Sequence, residues 1–207
     1  MSTPSISDAF DRLGIVGGVI TGIRPVFSGA KVVGTAVTLR QVRTKMGEAG
    51  LARHEYVMEE IAKAGDVIVI DAGAVTEIAT LGGNAAFGAK LRGIEGLITD
   101  GAIRDVEEIR EMKFPVFASG FSPIRSSTRF ETVSINETVQ LGGTQVRPAD
   151  IIVGDDEGIV SIPKEKVAEV LELAEKKEAY DRVVKSELEK GTPQREAYKK
   201  AHKATGW

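Results

Sequence analysis

The pattern of apolar and polar residues predicts two kinds of β-strand in the first part of the chain. Residues 19–26 and 31–42 are rich in β-forming residues, and the second run alternates polar and apolar positions as a half-buried strand does. Residues 66–71 contain an unbroken run of β-branched apolar side chains, which is typical of a strand covered on both faces. The sequence therefore predicts a sheet with at least one fully buried strand.

Apolar residues at helical spacing predict helices around these strands. The first is expected at residues 5–14, where Ser7 is available as N-cap and Gly14 as the end. Residues 51–64 are helical by the same period, and Gly65 ends that helix.

Strands and helices then alternate along the chain between residues 67 and 118. The pattern predicts strands at residues 66–71, 96–99 and 115–118, with helices at residues 84–92 and 105–113. This β-α-β-α-β order implies parallel strands joined by helical crossovers.

In the second half of the chain, the alternation of strands and helices gives way to a series of short β-runs. Short β-runs are expected at residues 131–135, 144–147, 150–153 and 159–162, a spacing that predicts a meander or a partly closed barrel layered on the parallel unit. From Lys164 onward the pattern predicts a long charged helix, a break at Gly191-Thr192-Pro193 and a last helix ending near Lys203. We expect an α/β domain at residues 1–163 and a helical extension at residues 164–207, packed on the same or a neighbouring subunit.

Composition limits the class of protein. The 207 residues suffice for one sizeable core, and the lack of cysteine excludes disulfides, a thiol nucleophile and thiolate metal sites. A formal net charge of −3 argues against nucleic acid as the main partner. The first residues do not resemble a signal peptide, and no stretch reaches the roughly 20 apolar residues of a membrane span. We expect a cytoplasmic protein that does not bind membranes.

The candidate chemistry lies where a buried strand meets a helix, at Arg104 and Asp105. Asp105 is followed three positions later by Glu108, so the pair could be a capping box that stabilises the helix by about 1 kcal/mol. In the functional alternative, the Asp105 carboxylate binds a divalent cation while Arg104 pairs with substrate oxygens. Both residues would lie at the carboxyl ends of strands, where open α/β sheets bind ligands.

A Gly-rich turn upstream, Gly82-Gly83-Asn84-Ala85, has the same ambiguity. The glycines could serve only to make a tight turn, and Asn84 could serve only to cap the helix that Gly93 ends. A helix N-terminus nevertheless presents unpaired amides to an anion, and glycines allow a ligand to approach closely. The turn lacks the features of a P-loop and of a dinucleotide fingerprint.

Other candidates point to ordinary structural roles. His54 and His202 are far apart in the sequence, which argues against a histidine metal site or a catalytic triad. The acidic run at residues 155–158 is typical of a charged hairpin turn.

On these residues the chain resembles the RraA-like family, which includes 4-hydroxy-4-methyl-2-oxoglutarate aldolases and regulators of ribonuclease activity. The resemblance covers residues 5 to about 165, and its most specific element is Asp100-Gly101-Ala102-Ile103-Arg104-Asp105. Further matching segments are Ser7-Asp8-Ala9, Val33-Gly34-Thr35-Ala36-Val37-Thr38, Gly65-Asp66-Val67, Phe114-Pro115-Val116-Phe117-Ala118 and Gly158-Ile159-Val160 before Pro163.

The resemblance implies a swivelling β/β/α fold assembled as a homotrimer or hexamer. It also implies a divalent cation, Mg²⁺ or Mn²⁺, held by Asp105, and a 2-oxo acid substrate held by Arg104. The substrate carboxylate would bind the amides around Gly82, Gly83, Asn84 and Ala85. Regulator-type members often lack the Asp after the Arg, so Asp105 favours an enzyme.

One departure from the family pattern concerns Gly83. Counting back from Arg104, this glycine stands where family aldolases often carry an acidic residue that helps to hold a metal-bound water. We therefore expect a poorer aldolase than oxaloacetate decarboxylase, two reactions that share a pyruvate enolate. The alternatives are a non-catalytic oligomer that binds a ribonuclease, and an enzyme that acts on an unrelated oxo acid.

Overall fold

The protein has a mixed α/β fold, and the computed structural model describes residues 1–45 and 52–207. The helices are α1 (Thr3–Leu13), α2 (His54–Tyr56, continued by a π-helical turn at Val57–Ile61), α3 (Gly83–Leu91), α4 (Val106–Met112), α5 (Val167–Glu189) and α6 (Gln194–Thr205). The strands are β1 (Val19–Ile20), β2 (Arg24–Pro25), β3 (Val32–Arg43), β4 (Asp66–Asp71), β5 (Ala79–Leu81), β6 (Gly96–Thr99), β7 (Ala102–Ile103), β8 (Val116–Ala118), β9 (Gly120–Phe121), β10 (Phe130–Ile135), β11 (Val139–Leu141), β12 (Thr144–Val146), β13 (Ile151–Gly154) and β14 (Ile159–Ile162).

The chain divides into two units, residues 17–164 and residues 1–16 together with 165–207. The second unit is helical and contains α1, α5 and α6. Within it, Lys177 on α5 forms ion pairs with Asp8 on α1 at 3.3 Å and with Asp181 at 2.7 Å. The first helix thus groups with the tail helices, whereas the sequence placed it in the domain at residues 1–163. Packing of the tail on a neighbouring subunit stays a prediction.

The larger unit is built on a sheet with the strand order β1-β14-β13-β3-β4-β6-β8-β2, and β10 pairs with β3. Strands β3, β4, β6 and β8 are parallel, and α3 and α4 connect successive members of this set. This arrangement confirms the predicted β-α-β-α-β segment. Instead of forming a separate meander, β13 and β14 extend the same sheet by antiparallel pairing.

Strand β4 lies at the centre of this sheet and is buried on both faces. Ile68 and Ile70 belong to the core cluster that includes residues of α3 and α4, whereas Val67 and Val69 belong to a second cluster that includes residues of the β11–β12 hairpin. Because successive side chains of a strand point to opposite faces, one strand contributes to both clusters. The prediction of a strand covered on both faces is confirmed.

Several predicted boundaries change in the structure. The first helix begins at Thr3, and its N-cap is Ser2 rather than Ser7, because the Ser2 hydroxyl accepts a hydrogen bond from the Ser5 amide. Gly14 ends that helix with a left-handed φ of 64°, as predicted. The expected strand at residues 19–26 is two short strands, β1 and β2.

The helix predicted at residues 51–64 is shorter in the structure, where it consists of α2 at His54–Tyr56 and the π-helical turn at Val57–Ile61. Leu51 lies outside the described residues, and Arg53 has a left-handed φ of 47° that precludes a helix start before His54. The α/β class with a helical C-terminus is confirmed. No helix in the described ranges is long and apolar enough to cross a membrane.

Candidate functional site

The site is organised by a small parallel sheet of β5, β7 and β9. In its first pair Ala79 lies opposite Ala102 and Leu81 opposite Ile103, and the Arg104 amide donates to the Leu81 carbonyl at 3.1 Å. Because parallel strands end at the same edge, the Gly-rich turn after β5 and the Arg-Asp turn after β7 are adjacent. The structure therefore brings together the two motifs that the sequence singled out.

Asp105 does not cap the helix that follows it. Its backbone is left-handed, with φ 58°, and its side chain makes no hydrogen bond to α4. Carboxylate Oδ2 instead accepts a hydrogen bond from the Gly83 amide at 3.0 Å and lies 3.5 Å from Arg104 Nε. The capping-box alternative with Glu108 is therefore wrong. A left-handed backbone is strained at a non-glycine residue. This conformation directs the Asp105 carboxylate towards the Gly-rich turn that contains Gly83.

The glycines of the upstream turn are needed for this close approach. A Cβ on Gly82 would lie 2.5 Å from Asp105 Oδ2 and 2.9 Å from Arg104 Nε, so any larger residue would displace both side chains. A Cβ on Gly83 would collide with the carboxylate of Glu108. Gly83 is helical and its φ is not positive, so crowding by Glu108 is what limits this position.

Glu108, which the sequence pattern indicates only as a possible capping partner of Asp105, lies close to Gly83. It lies on the first turn of α4, and its carboxylate occupies the space beside Gly83 that a side chain at position 83 would enter. A carboxylate from the next helix thus lies where an acidic side chain at position 83 would lie.

Helix α3 directs free amides towards the same place. It begins at Gly83 with Gly82 as N-cap and has no side-chain cap, so the prediction that Asn84 caps it is wrong. The Gly83 amide is used by Asp105, and the Ala86 amide donates to the Gly82 carbonyl. Since a helix leaves its first amides without intrahelical partners, those of Asn84 and Ala85 are available to an anion.

These groups border a pocket of about 340 Å³. Five of the six residues predicted for the site line it, and Gly83 contributes through its amide bond to Asp105. The lining residues are Ala52, His54, Glu55, Ala79, Leu81, Gly82, Asn84, Ala85, Arg104, Asp105, Arg125, Ser126 and Ser127. The side chains of Arg104 and Asp105 are about 40% and 41% exposed, so both are accessible to a ligand.

A histidine–glutamate pair lies on another wall of this pocket. His54 is 8% exposed, and its Nε2 lies 3.2 Å from Glu55 Oε1. The hydrogen bond from His54 lowers the pKa of Glu55 to about 2, so this carboxylate is ionised at neutral pH. No sequence pattern indicates that His54 borders the site, because most of its pocket neighbours are distant along the chain.

Asp100, in the segment that also contains Arg104 and Asp105, has a structural role. Its two carboxylate oxygens accept hydrogen bonds from the amides of Ala72 at 2.6 Å and Ala74 at 2.8 Å. Burial raises its pKa above the ordinary value. Asp100 therefore holds the loop after β4.

The donor set fits a divalent cation that needs few protein ligands. Across residues 1–45 and 52–207, no group of three or more acidic, histidine or cysteine side chains could enclose a metal ion. Mg²⁺ is commonly bound through one or two carboxylates, with water and substrate oxygens completing its shell. Asp105, accessible and not used as a cap, is suited to that mode.

The chain is similar in sequence to known proteins. A family model for RraA-like proteins, described as Aldolase/RraA, matches residues 3–161. A putative 4-hydroxy-4-methyl-2-oxoglutarate aldolase of Halalkalibacterium halodurans is 38% identical over 179 residues, which cover 86% of this chain and 80% of the relative.

Two solved structures are similar in fold. An uncharacterised protein from Pseudomonas syringae pv. tomato has a TM-score of 0.85 and 26% identity, over 95% of this chain and 92% of that chain. RraAS2 of Streptomyces coelicolor, described as an unusual member of the RNase ES inhibitor RraA protein family, has a TM-score of 0.81 and 28% identity, over 88% and 91%. By the family match and the identity to the aldolase-named relative, this chain belongs to the RraA-like family of Aldolase/RraA proteins.

Proposed function

We propose that this protein is a divalent-metal-dependent carbon–carbon lyase for short 2-oxo acids. It would cleave 4-hydroxy-2-oxo acids, decarboxylate oxaloacetate, or do both, through a pyruvate enolate. The observation that carries the proposal is the convergence of Arg104, Asp105 and the free amides of α3 on one pocket. The aldolase name of the Halalkalibacterium halodurans relative supports the same reaction class.

The α3 amides anchor the substrate. Its 1-carboxylate binds the amides of Asn84 and Ala85, which the helix leaves unpaired and whose dipole favours an anion. Gly82 allows this approach, because its lack of a side chain keeps the entrance between α3 and Arg104 open. The 2-oxo group of the bound acid then lies on the Arg104 side of the pocket.

Arg104 stabilises the charge that develops during cleavage. When the C3–C4 bond breaks, its electron pair moves towards the 2-oxo oxygen and produces the enolate. A guanidinium group at that oxygen lowers the barrier because the negative charge is larger in the transition state than in the substrate. Asp105, with Oδ2 3.5 Å from Arg104 Nε, helps to hold the guanidinium in place.

Asp105 is also the residue that would hold the metal ion, and the Glu108 carboxylate lies beside Gly83, whose amide binds Asp105. A divalent cation held by Asp105 would supply Lewis acidity to a bound 2-oxo acid. The Gly83 amide orients Asp105 for this role by binding its Oδ2.

Glu108 supplies the acid–base group that position 83 lacks. In aldol cleavage the 4-hydroxyl proton leaves, the C3–C4 bond breaks to give a carbonyl product, and C3 of the enolate takes up a proton. Glu108 lies beside Gly83 and does not line the pocket, so it accepts the first proton and returns the second through an intervening water molecule. Decarboxylation needs only the protonation of C3, so it depends less on Glu108.

The alternative is a non-catalytic oligomer that binds a ribonuclease. The description of the Streptomyces coelicolor relative favours it, since that protein is assigned to an RNase ES inhibitor family. We propose a homotrimer or hexamer under either function.

The experiment that separates the two functions is pyruvate release from a panel of 2-oxo acids. Oxaloacetate and 4-hydroxy-2-oxo acids are incubated with the protein, with Mg²⁺ and after exhaustive chelation. We expect turnover that requires the metal. Undiminished turnover after chelation would exclude the metal mechanism, and no turnover of any acid would favour the ribonuclease-binding function.

A further inference from the structure

Arg125 lies on the wall of the pocket contributed by the segment between β9 and β10. This segment is held in place by backbone hydrogen bonds. The Ala79 amide donates to the Ile124 carbonyl at 2.8 Å, which fastens the segment to the start of β5. The Ser126 carbonyl accepts from the amides of Thr128, Arg129 and Phe130 at 2.8–3.0 Å. Arg125 is therefore presented from an ordered turn.

The charges around the pocket leave Arg125 unmatched. Arg104 lies 3.5 Å from Asp105, and His54 Nε2 lies 3.2 Å from Glu55 Oε1, so each acidic group of the lining has a partner other than Arg125. Within the part of the chain that the structure describes, no carboxylate lies within ion-pair distance of Arg125. An accessible arginine without a partner is a site for an anion, because its planar fork matches a carboxylate.

We infer that Arg125 binds the second carboxylate of a dicarboxylic 2-oxo acid and so determines substrate specificity. The inference rests on the proposed function, in which the α3 amides and Arg104 hold the 2-oxo acid end. Ser126 and Ser127 follow Arg125 in the chain, line the same pocket and carry hydroxyl donors. A diacid held by α3 would have Arg125 available for its second carboxylate, and a monoacid of equal length would leave Arg125 without a partner.

The test uses two unreactive ligands of equal carbon number. 2-Oxoglutarate and 2-oxopentanoate share the 2-oxo acid end, and neither carries the 4-hydroxyl or β-keto carboxylate that cleavage requires. Their dissociation constants are measured by calorimetry with saturating Mg²⁺. We expect the wild-type protein to bind the diacid at least about tenfold more tightly, as a charge-assisted hydrogen bond pair typically provides.

Arg125→Gln should abolish that preference and leave the affinity for 2-oxopentanoate unchanged, and Arg125→Lys should keep part of it. The matched control is Arg129→Gln, which removes an exposed arginine of the same segment that does not line the pocket. For any oxo diacid that is turned over, Arg125→Gln should raise KM with little change in kcat, the signature of lost ground-state binding.

The outcomes separate this inference from the proposed function. Equal wild-type affinity for the two ligands, or a diacid preference that survives Arg125→Gln, would overturn the role of Arg125 alone. A loss of preference in Arg129→Gln as large as in Arg125→Gln would also overturn it, because the effect would then be one of general charge. Failure of both ligands to bind the wild-type protein would overturn the 2-oxo acid site and this inference together.

Discussion

The turn after β6 and the turn after β7 each present an aspartate, and the two carboxylates are used in opposite ways. Asp100, in the first turn, is buried and accepts hydrogen bonds from the amides of Ala72 and Ala74. Asp105, in the second, accepts one hydrogen bond from the Gly83 amide and keeps 41% of its side chain exposed beside the pocket. The first carboxylate stabilises a loop, whereas the second retains the capacity to bind a ligand.

The backbone explains the difference. Asp105 is left-handed, which turns its side chain away from the amides of α4 that an aspartate at an N-cap normally binds. The strained backbone and the missing cap both destabilise the protein. Strained residues of this kind cluster at functional sites, which supports a functional role for the Asp105 carboxylate. The comparison therefore predicts large catalytic effects at one aspartate and large stability effects at the other.

The largest effect is expected for Asp105→Ala. Removing the metal-binding carboxylate should lower kcat for oxaloacetate by about 10³-fold and abolish the response to Mg²⁺. Stability should fall by no more than about 1 kcal/mol, because no helix cap is lost and only the Gly83 amide loses its hydrogen-bond partner. Steady-state kinetics and urea unfolding check both parts. A variant that still responds to Mg²⁺, or one that loses more than about 1 kcal/mol of stability, would show that Asp105 has the structural role.

Arg104→Ala should have the next largest effect. Loss of the cation at the enolate oxygen should lower kcat by on the order of 10²-fold or more while the protein stays folded. Metal binding should persist, because Asp105 remains. Kinetics combined with a metal titration separates these effects. Wild-type kinetics in a folded Arg104→Ala protein would place the site elsewhere.

A Glu108 variant tests whether this carboxylate acts as the acid–base group beside Gly83. Glu108→Gln should lower aldol cleavage by on the order of 10²-fold and decarboxylation by less, because only the first reaction needs both proton transfers. Glu107→Gln, at the exposed neighbouring position, is the matched control. Equal losses in both reactions would argue against an acid–base role for Glu108.

Moving the carboxylate from position 108 to position 83 also tests the acid–base role of Glu108. Gly83→Asp alone should lower both reactions, since the new side chain collides with the Glu108 carboxylate. Gly83→Asp combined with Glu108→Ala should recover aldolase activity relative to Glu108→Ala alone. If the double variant recovers nothing, the carboxylate beside Gly83 is not the proton carrier.

The smallest catalytic effect is expected for Asp100→Ala. Leaving the amides of Ala72 and Ala74 unpaired should cost about 2 kcal/mol of stability. Turnover per folded molecule should stay within severalfold of wild type, because both oxygens of the buried Asp100 carboxylate are occupied by the amides of Ala72 and Ala74. Urea unfolding and kinetics at a temperature well below the melting point check this. A large kcat loss without destabilisation would reverse the assignment of the two aspartates.

The core of the fold was predictable because its strands carry a strong local pattern. The run at β4 is apolar on both faces, and β14 was predicted with its observed bounds of residues 159–162. Strands β5, β7 and β9 were missed, since each has only two or three residues and no detectable period. Their pairing is a tertiary event that brings distant turns together.

Most residues of the site could be predicted from the sequence, but their contacts could not. Arg104, Asp105 and the Gly-rich turn could be chosen from residue type and position, and the structure places them together. Local rules offered a helix-capping role for Asp105 and for Asn84, and neither residue caps a helix. The Asp105 carboxylate binds the Gly83 amide instead, and Gly82 is the N-cap residue of α3. His54 and Arg125 have no local signal and enter the site only through folding.

The proposed function requires the Asp105 carboxylate to bind a divalent cation. Titration of Mn²⁺ into the wild-type protein, Asp105→Asn and the control Glu107→Gln measures this binding, with free Mn²⁺ followed by electron paramagnetic resonance in the presence of pyruvate. We predict binding by the wild type and the control, and its loss in Asp105→Asn. Equal Mn²⁺ affinity in all three proteins would contradict the account.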